Sequence, residues 1–325
     1  MALGPAIWAP VALFAGAAVI ALIESDFPVG WGPLAALVFQ IGLGILVSVT
    51  LGERAGRLGK AGKALSALMQ ASTIASAGVI LAYCAATAGH PLVDSAMLRF
   101  DRMIGYDWRA FALFFASHPS FARLTILCYN SNVVQPVLLI LLLIQASHYE
   151  RLEKFVVTMT VTLALTILIF IFYPVTTAWT YEWHSPARLA IYRYLLPGTD
   201  GWIHELLQIR QGYRPPSGTF WQGIIGFPSF HTISALLYIW AAWPLRWARM
   251  IFVPANILMI LGALLSGGHY AADLVCGVII TAIGLSFTHS LYDAARRFRY
   301  SERAGWALAS TVPESRAASV TAAST

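Results

Sequence analysis

Two short stretches place ionisable residues at the mouths of apolar segments. GGHYAADLVCG, residues 267–277, carries His269 and, four residues later, Asp273 before the chain turns greasy. GFPSFHT, residues 226–232, carries Ser229 and His231 in the same situation. On a helix, residues i and i+4 share a face, so Asp273 can hold one ring nitrogen of His269 and leave the other as a nucleophile or base. Proline is favoured at a helix's first position, which puts Pro228 at the start of a helix and Ser229 in its first turn. The free N–H groups of such a turn attract anions. His231 would then sit beside a bound anion, ready to protonate a leaving group. The two glycines before His269 let a ligand approach the backbone, and Gly277 permits close helix packing.

Each stretch alone has a plainer reading. A histidine–aspartate pair can simply tie down a helix end, and a Ser-Phe-His start can be an ordinary capped helix. Together they weigh differently, because ionisable side chains near lipid are costly and are kept mainly for function.

The elements that must position them are set by composition. The chain has 325 residues, 58% hydrophobic and 11% charged, with a mean hydropathy of +0.68. A soluble domain carries about 25% charged residues, so the composition excludes one. Apolar runs near 6–23, 31–51, 64–87, 123–146, 155–178, 228–244, 250–268 and 270–291 read as eight membrane helices. The fold class is therefore an all-α polytopic bundle. The net charge of +6 and pI near 9.3 reflect orientation in the membrane rather than nucleic-acid binding. Cys84, Cys128 and Cys276 lie inside apolar runs without metal-type spacing and read as inert thiols. The N-terminus lacks a basic segment and a cleavage signal, so the first span is retained.

Every lysine and nine of the 18 arginines fall in GERAGRLGKAGK, SHYERLEK, PLRWAR and RRFRYSER. The positive-inside rule makes these cytoplasmic and puts both termini inside. The long connections 88–122 and 179–227 then lie outside. The first reads as an amphipathic surface helix, with Asp101 and Asp107 on its solvated side. The second is rich in arginine and interfacial aromatics, among them Trp221. His231 and His269 thus arrive at the same membrane depth, next to that loop. Asn130, Asn132 and Gln135, in YNSNVVQP, either line a headgroup pocket or bond between helices, the second being the commoner use. The tail beyond about 304 is Ala/Ser/Thr-rich and reads as disordered.

PSFH followed by GGHYAAD resembles the second and third signature motifs of the type-2 phosphatidic acid phosphatase superfamily, in the form closest to its inositol-phosphorylceramide-synthase-like branch and bacterial relatives. The resemblance covers roughly residues 64–292. It implies a six-helix catalytic core there, with two accessory helices and a cytoplasmic loop in 1–63 and a cytoplasmic tail in 293–325. It also implies phosphoryl transfer through a phosphohistidine without a metal or other cofactor. His269 would be the nucleophile, Asp273 its orienting partner and His231 the general acid. The implied location is a bacterial inner membrane with the site on the outer face.

The chain departs from the pattern in two places. The first motif, a lysine six residues before Arg-Pro, finds Arg214-Pro215 but has Leu207 for the lysine. The Ser-Arg expected before the third-motif histidine is Gly262-Ala263. Arg210 and Arg214 are the natural substitutes for holding phosphate, with Ser229, and Arg188 and Arg193 lie in the same loop. The expected activity is a lipid phosphatase acting on a lipid phosphate or phospholipid among membrane lipids. A lipid phosphotransferase and a non-catalytic membrane partner stand as alternatives. A transporter would need charges deep in several spans, whereas here they gather at one interface.

Overall fold

A computed structural model describes residues 7–25, 31–52, 54–178, 201–213 and 222–309. Among them are twelve α-helices and no strand. Arg188, Arg193, Arg214 and Trp221 lie outside the described residues, as does the chain beyond 309. Packing separates residues 1–284, which hold the site, from a second unit, 285–325.

Each of the eight apolar runs is helical. They become α1 (Trp8–Glu24), α2 (Trp31–Thr50), α3 (Gly56–Ala86), α6 (Pro119–Asn130) with α7 (Gln135–Gln145), α8 (Tyr149–Phe172), α10 (Phe230–Ala242), α11 (Arg246–Leu265) and α12 (Ala271–Ala309). Between them lie α4 (Asp94–Met103), α5 (Trp108–Ser117) and α9 (Gly201–Arg210). Among the described residues four helices are long and apolar enough to cross a bilayer, or five if the bent pair Trp108–Ser117 and Pro119–Val133 is one span. Apolar side chains such as Val278, Ile279 and Ile283 are half exposed on α12, as lipid contact requires.

Three expectations change. The run at 123–146 is not one helix: α6 ends at Asn130, a 3-10 turn covers Ser131–Val133, and α7 follows with Pro136 in its first turn. A proline has no N–H to continue the α6 ladder, so it marks a restart. The span expected from 64 begins at Gly56, because Lys60 and Lys63 reach out of the helix to the carbonyls of Gln145 and Gly52. Finally, 88–122 is not a free surface helix. Trp108 and Phe115 of α5 are buried, and Trp108 Nε1 donates to the Leu264 carbonyl at 2.7 Å.

Small residues set the helix approaches. A Cβ on Gly277 of α12 would fall 2.9 Å from the Ser229 carbonyl, and one on Gly284 would fall 2.4 Å from Thr162 Cγ2 of α8. One face of α12 therefore lies close against α10 and α8. Along α8, Thr158, Thr160, Thr162 and Thr166 return their hydroxyls to the carbonyl four residues back, which satisfies them without water. Interhelical amides do the same elsewhere. Asn256 Nδ2 donates to Gln135 Oε1 at 2.7 Å, and Tyr238 donates to Asn132 Oδ1 at 3.0 Å. Asn132 and Gln135 thus take the interhelical role expected of them, while Asn130 is exposed.

Candidate active site

The loop between α11 and α12 presents the first histidine. Ser266 closes α11, and Gly268, at φ 63°, turns the chain in the left-handed region that glycine enters without steric cost. Its carbonyl accepts from the Ala178 N–H at 2.9 Å. His269 therefore stands just before α12, which begins at Ala271, rather than on it. The pair expected from i, i+4 spacing forms because Asp273, in the first turn, reaches back over the helix start. Asp273 Oδ2 lies 2.9 Å from His269 Nδ1 and accepts the Tyr270 N–H at 2.9 Å. Both side chains are buried, His269 at 4% exposure and Asp273 at 1%. With Nδ1 facing a carboxylate, Nδ1 carries the proton and Nε2 keeps its lone pair. Asp273 Oδ1 has no partner among the described residues. Leaving a buried oxygen so costs about 1–3 kcal/mol, a cost more often tolerated at functional sites.

The second histidine comes from α10. Here the structure shifts the expected helix start by two residues: Ser229, not Pro228, bounds it. Ser229 is the N-cap, its Oγ accepting from Thr232 N–H at 3.4 Å and from the Thr232 hydroxyl at 3.1 Å. The Ser229 N–H donates to the Asp273 carbonyl at 3.1 Å, which fastens the two motifs to each other. His231 occupies the first turn, stacked on Tyr129 with ring centroids 4.0 Å apart and planes at 20°. So the structure brings His231, His269, Asp273 and Ser229 together.

Two residues of α4 complete the surroundings, one expected elsewhere and one not singled out in the sequence. Asp101 was expected on a solvated face; it is 2% exposed and caps α12, accepting the Ala271 and Ala272 N–H groups at 3.1 Å each. Burial pushes its carboxyl up from the ordinary range, and the two amide donors oppose that. Asp94, seven residues earlier on the same face of α4, accepts from the Tyr270 hydroxyl at 3.0 Å and from Thr176 N–H and Oγ1 at 2.9 and 2.7 Å. Asp107 does remain exposed, as the N-cap of α5. The available signal for α4 was the i, i+7 spacing of Asp94 and Asp101 in an otherwise amphipathic segment.

Arg210 ends α9, where its Nη2 donates to the His90 carbonyl at 2.5 Å and its charge interacts favourably with Asp94. The two departures from the family pattern both lie in apolar packing. Leu207 packs into the apolar cluster of Trp108, Phe115, Ile203 and Tyr270. Ala263 is fully buried, and a Cβ on Gly262 would lie 2.7 Å from Tyr129 Cβ. An arginine at Ala263 would have no room in this packing.

A family model described as the PAP2 superfamily matches residues 95–287. The chain belongs to the PAP2 superfamily. This is a phosphatase-type family, and the match runs from the second residue of α4 into α12, so it takes in both motifs, Tyr129, Asp101 and Arg210. It begins later than the expected 64, leaving α1 to α3 outside. Comparison with curated proteins and with solved structures gives no match.

Proposed function

We propose that this PAP2 protein is a membrane lipid phosphatase that works through a phosphohistidine on His269, without a metal. The observation that carries the reading is the buried 2.9 Å contact of His269 with Asp273, at a loop fastened to the helix start that bears His231. In the first step His269 Nε2 attacks phosphorus in line. The P–N bond forms as the ester P–O bond breaks, and the departing oxygen takes its electron pair and a proton from His231. Asp273 holds the Nδ1 proton and offsets the charge that develops on the ring. In the second step His231, now neutral, takes a proton from water; the hydroxyl adds to phosphorus, the P–N bond breaks, and phosphate leaves.

Arg210 and Arg214 are proposed to hold the phosphate oxygens, since guanidinium groups suit them. Ser229 joins them: its hydroxyl accepts from Thr232 and still has its own hydrogen to donate. The substrate is an amphiphilic phosphate ester of the outer leaflet of a bacterial inner membrane. A phosphotransferase of the inositol-phosphorylceramide-synthase-like branch would share the first step and differ only in using a lipid alcohol in place of water.

The test is leaving-group chemistry in purified protein. General acid catalysis contributes about 100- to 10,000-fold, and an aryl oxide departs without it. His231→Ala should therefore lose most activity on an alkyl lipid phosphate and recover much of it on an aryl phosphate. His269→Ala should be inactive on both, and Asp273→Asn impaired on both. Chelator should leave the native rate unchanged. Equal rescue of the two histidine variants, or a metal requirement, would overturn the mechanism. Product analysis with an added lipid alcohol separates hydrolase from transferase.

A further inference from the structure

The break in the membrane helix at YNSNVVQP is not accounted for by the catalytic residues, yet it touches one of them. Tyr129 is the penultimate residue of α6, immediately before the break, and its ring lies flat on His231. The segment that follows is held on two other helices. Asn132 receives the Tyr238 hydroxyl of α10, and Gln135 receives Asn256 of α11. On the near side, α6 packs so tightly on α11 that a Cβ on Gly262 would meet Tyr129 Cβ at 2.7 Å and the Thr125 carbonyl at 2.9 Å. The place where the family pattern expects Ser-Arg is thus closed by the Tyr129 side chain and the Thr125 carbonyl.

From this we infer that Tyr129 is a positioning residue for leaving-group protonation: its ring fixes the plane of His231 so that the imidazole proton points at the departing oxygen. The inference rests on His231 being the proton donor. A histidine at the second position of a helix still has more than one combination of its two side-chain torsions open to it. Among the described residues no hydrogen bond holds its ring. A parallel aromatic face at 4.0 Å removes most of that rotation while leaving both nitrogens at the ring edge open. Proton transfer needs the donor within about 2.6–3.2 Å of its target, so a ring free to swing loses reaction rate without losing the fold. The polar contacts at Asn132 and Gln135 then have a purpose beyond holding helices: they lock the α6 end against α10 and α11.

The experiment compares Tyr129→Leu and Tyr129→Phe with His231→Ala in purified full-length protein, each on one alkyl lipid phosphate and one aryl phosphate. Tyr129→Leu should lose about tenfold or more on the alkyl substrate, a fraction of what general acid catalysis contributes, and keep most of its rate on the aryl one. Tyr129→Phe, which retains the ring face, should keep both. Equal loss on both substrates, or no loss on either, would overturn the proposal; so would Tyr129→Phe behaving like Tyr129→Leu. If the leucine variant does not fold in detergent, Tyr129→Met carries the same expectation. His231→Ala keeps the two levels apart. Leaving-group dependence in His231→Ala without it in Tyr129→Leu removes the positioning role alone. Its absence from His231→Ala removes the proton-donor reading, and this inference with it.

Discussion

Gly267 shows how closely His269 is fitted. A Cβ there would come 2.8 Å from His269 Cδ2 and 2.6 Å from the Ala263 carbonyl, so the glycine makes room for the His269 ring itself. In sequence the Gly-Gly pair read as access for a ligand; the two glycines in fact do different jobs inside the loop. Gly267→Ala should displace the His269 ring and lower turnover at least tenfold, since angström misplacements can cost about 100-fold, and the clash with the Ala263 carbonyl should lower the melting temperature as well. At Gly268 the constraint is one of backbone conformation. Its φ of 63° is uncomfortable for any residue with a side chain, so Gly268→Ala should cost roughly 1–2 kcal/mol of stability. Thermal unfolding in detergent beside turnover on one phosphate substrate separates the pair. A stable, fully active Gly267→Ala would mean that His269 does not need its present position.

At the scale of elements, α4 carries the lesson about legibility. His231, His269 and Asp273 were readable because motif spacing survives without three-dimensional information. Asp94 and Asp101 were not, because an amphipathic segment looks the same whether its polar face meets water or the N-terminus of another helix. Here that face meets α12, whose first amides would otherwise lack acceptors. The 113° bend between α5 and α6 escaped for a related reason: apolar composition reports burial, not direction. Asp101→Ala should remove two cap bonds and cost about 0.5–2 kcal/mol, with turnover falling because the same helix start carries Asp273. Asp101→Asn keeps an acceptor oxygen and should recover much of both. If alanine and asparagine variants are alike in stability and rate, Asp101 is not acting as the cap of the catalytic helix.

For the whole molecule, the eight apolar runs were legible as helices in their order, but not as eight spans: among the described residues four helices, or five with the bent pair, are long and apolar enough to cross a bilayer. Their sidedness rests on charge alone. Cytoplasmic loops of membrane proteins hold an excess of lysine and arginine, and the start of α3 concentrates Arg54, Arg57, Lys60 and Lys63. By the same rule the segment 179–227 is expected on the opposite side, with the site. A pair of single cysteines in a chain lacking Cys84, Cys128 and Cys276 tests this with an impermeant thiol reagent. Packing decides where the first one goes. Gly59 looks suitable in sequence, yet a Cβ there would lie 1.7 Å from the Arg54 carbonyl, so a cysteine would distort the start of α3. Arg57 is exposed and accepts the change. Gly218 serves for the other side. In intact cells Gly218→Cys should react and Arg57→Cys should not, and opening the membrane should expose Arg57→Cys. Reaction of both from outside would overturn the orientation and leave the catalytic face unassigned. Reaction of Arg57→Cys alone would invert it and move phosphate release to the cytoplasm.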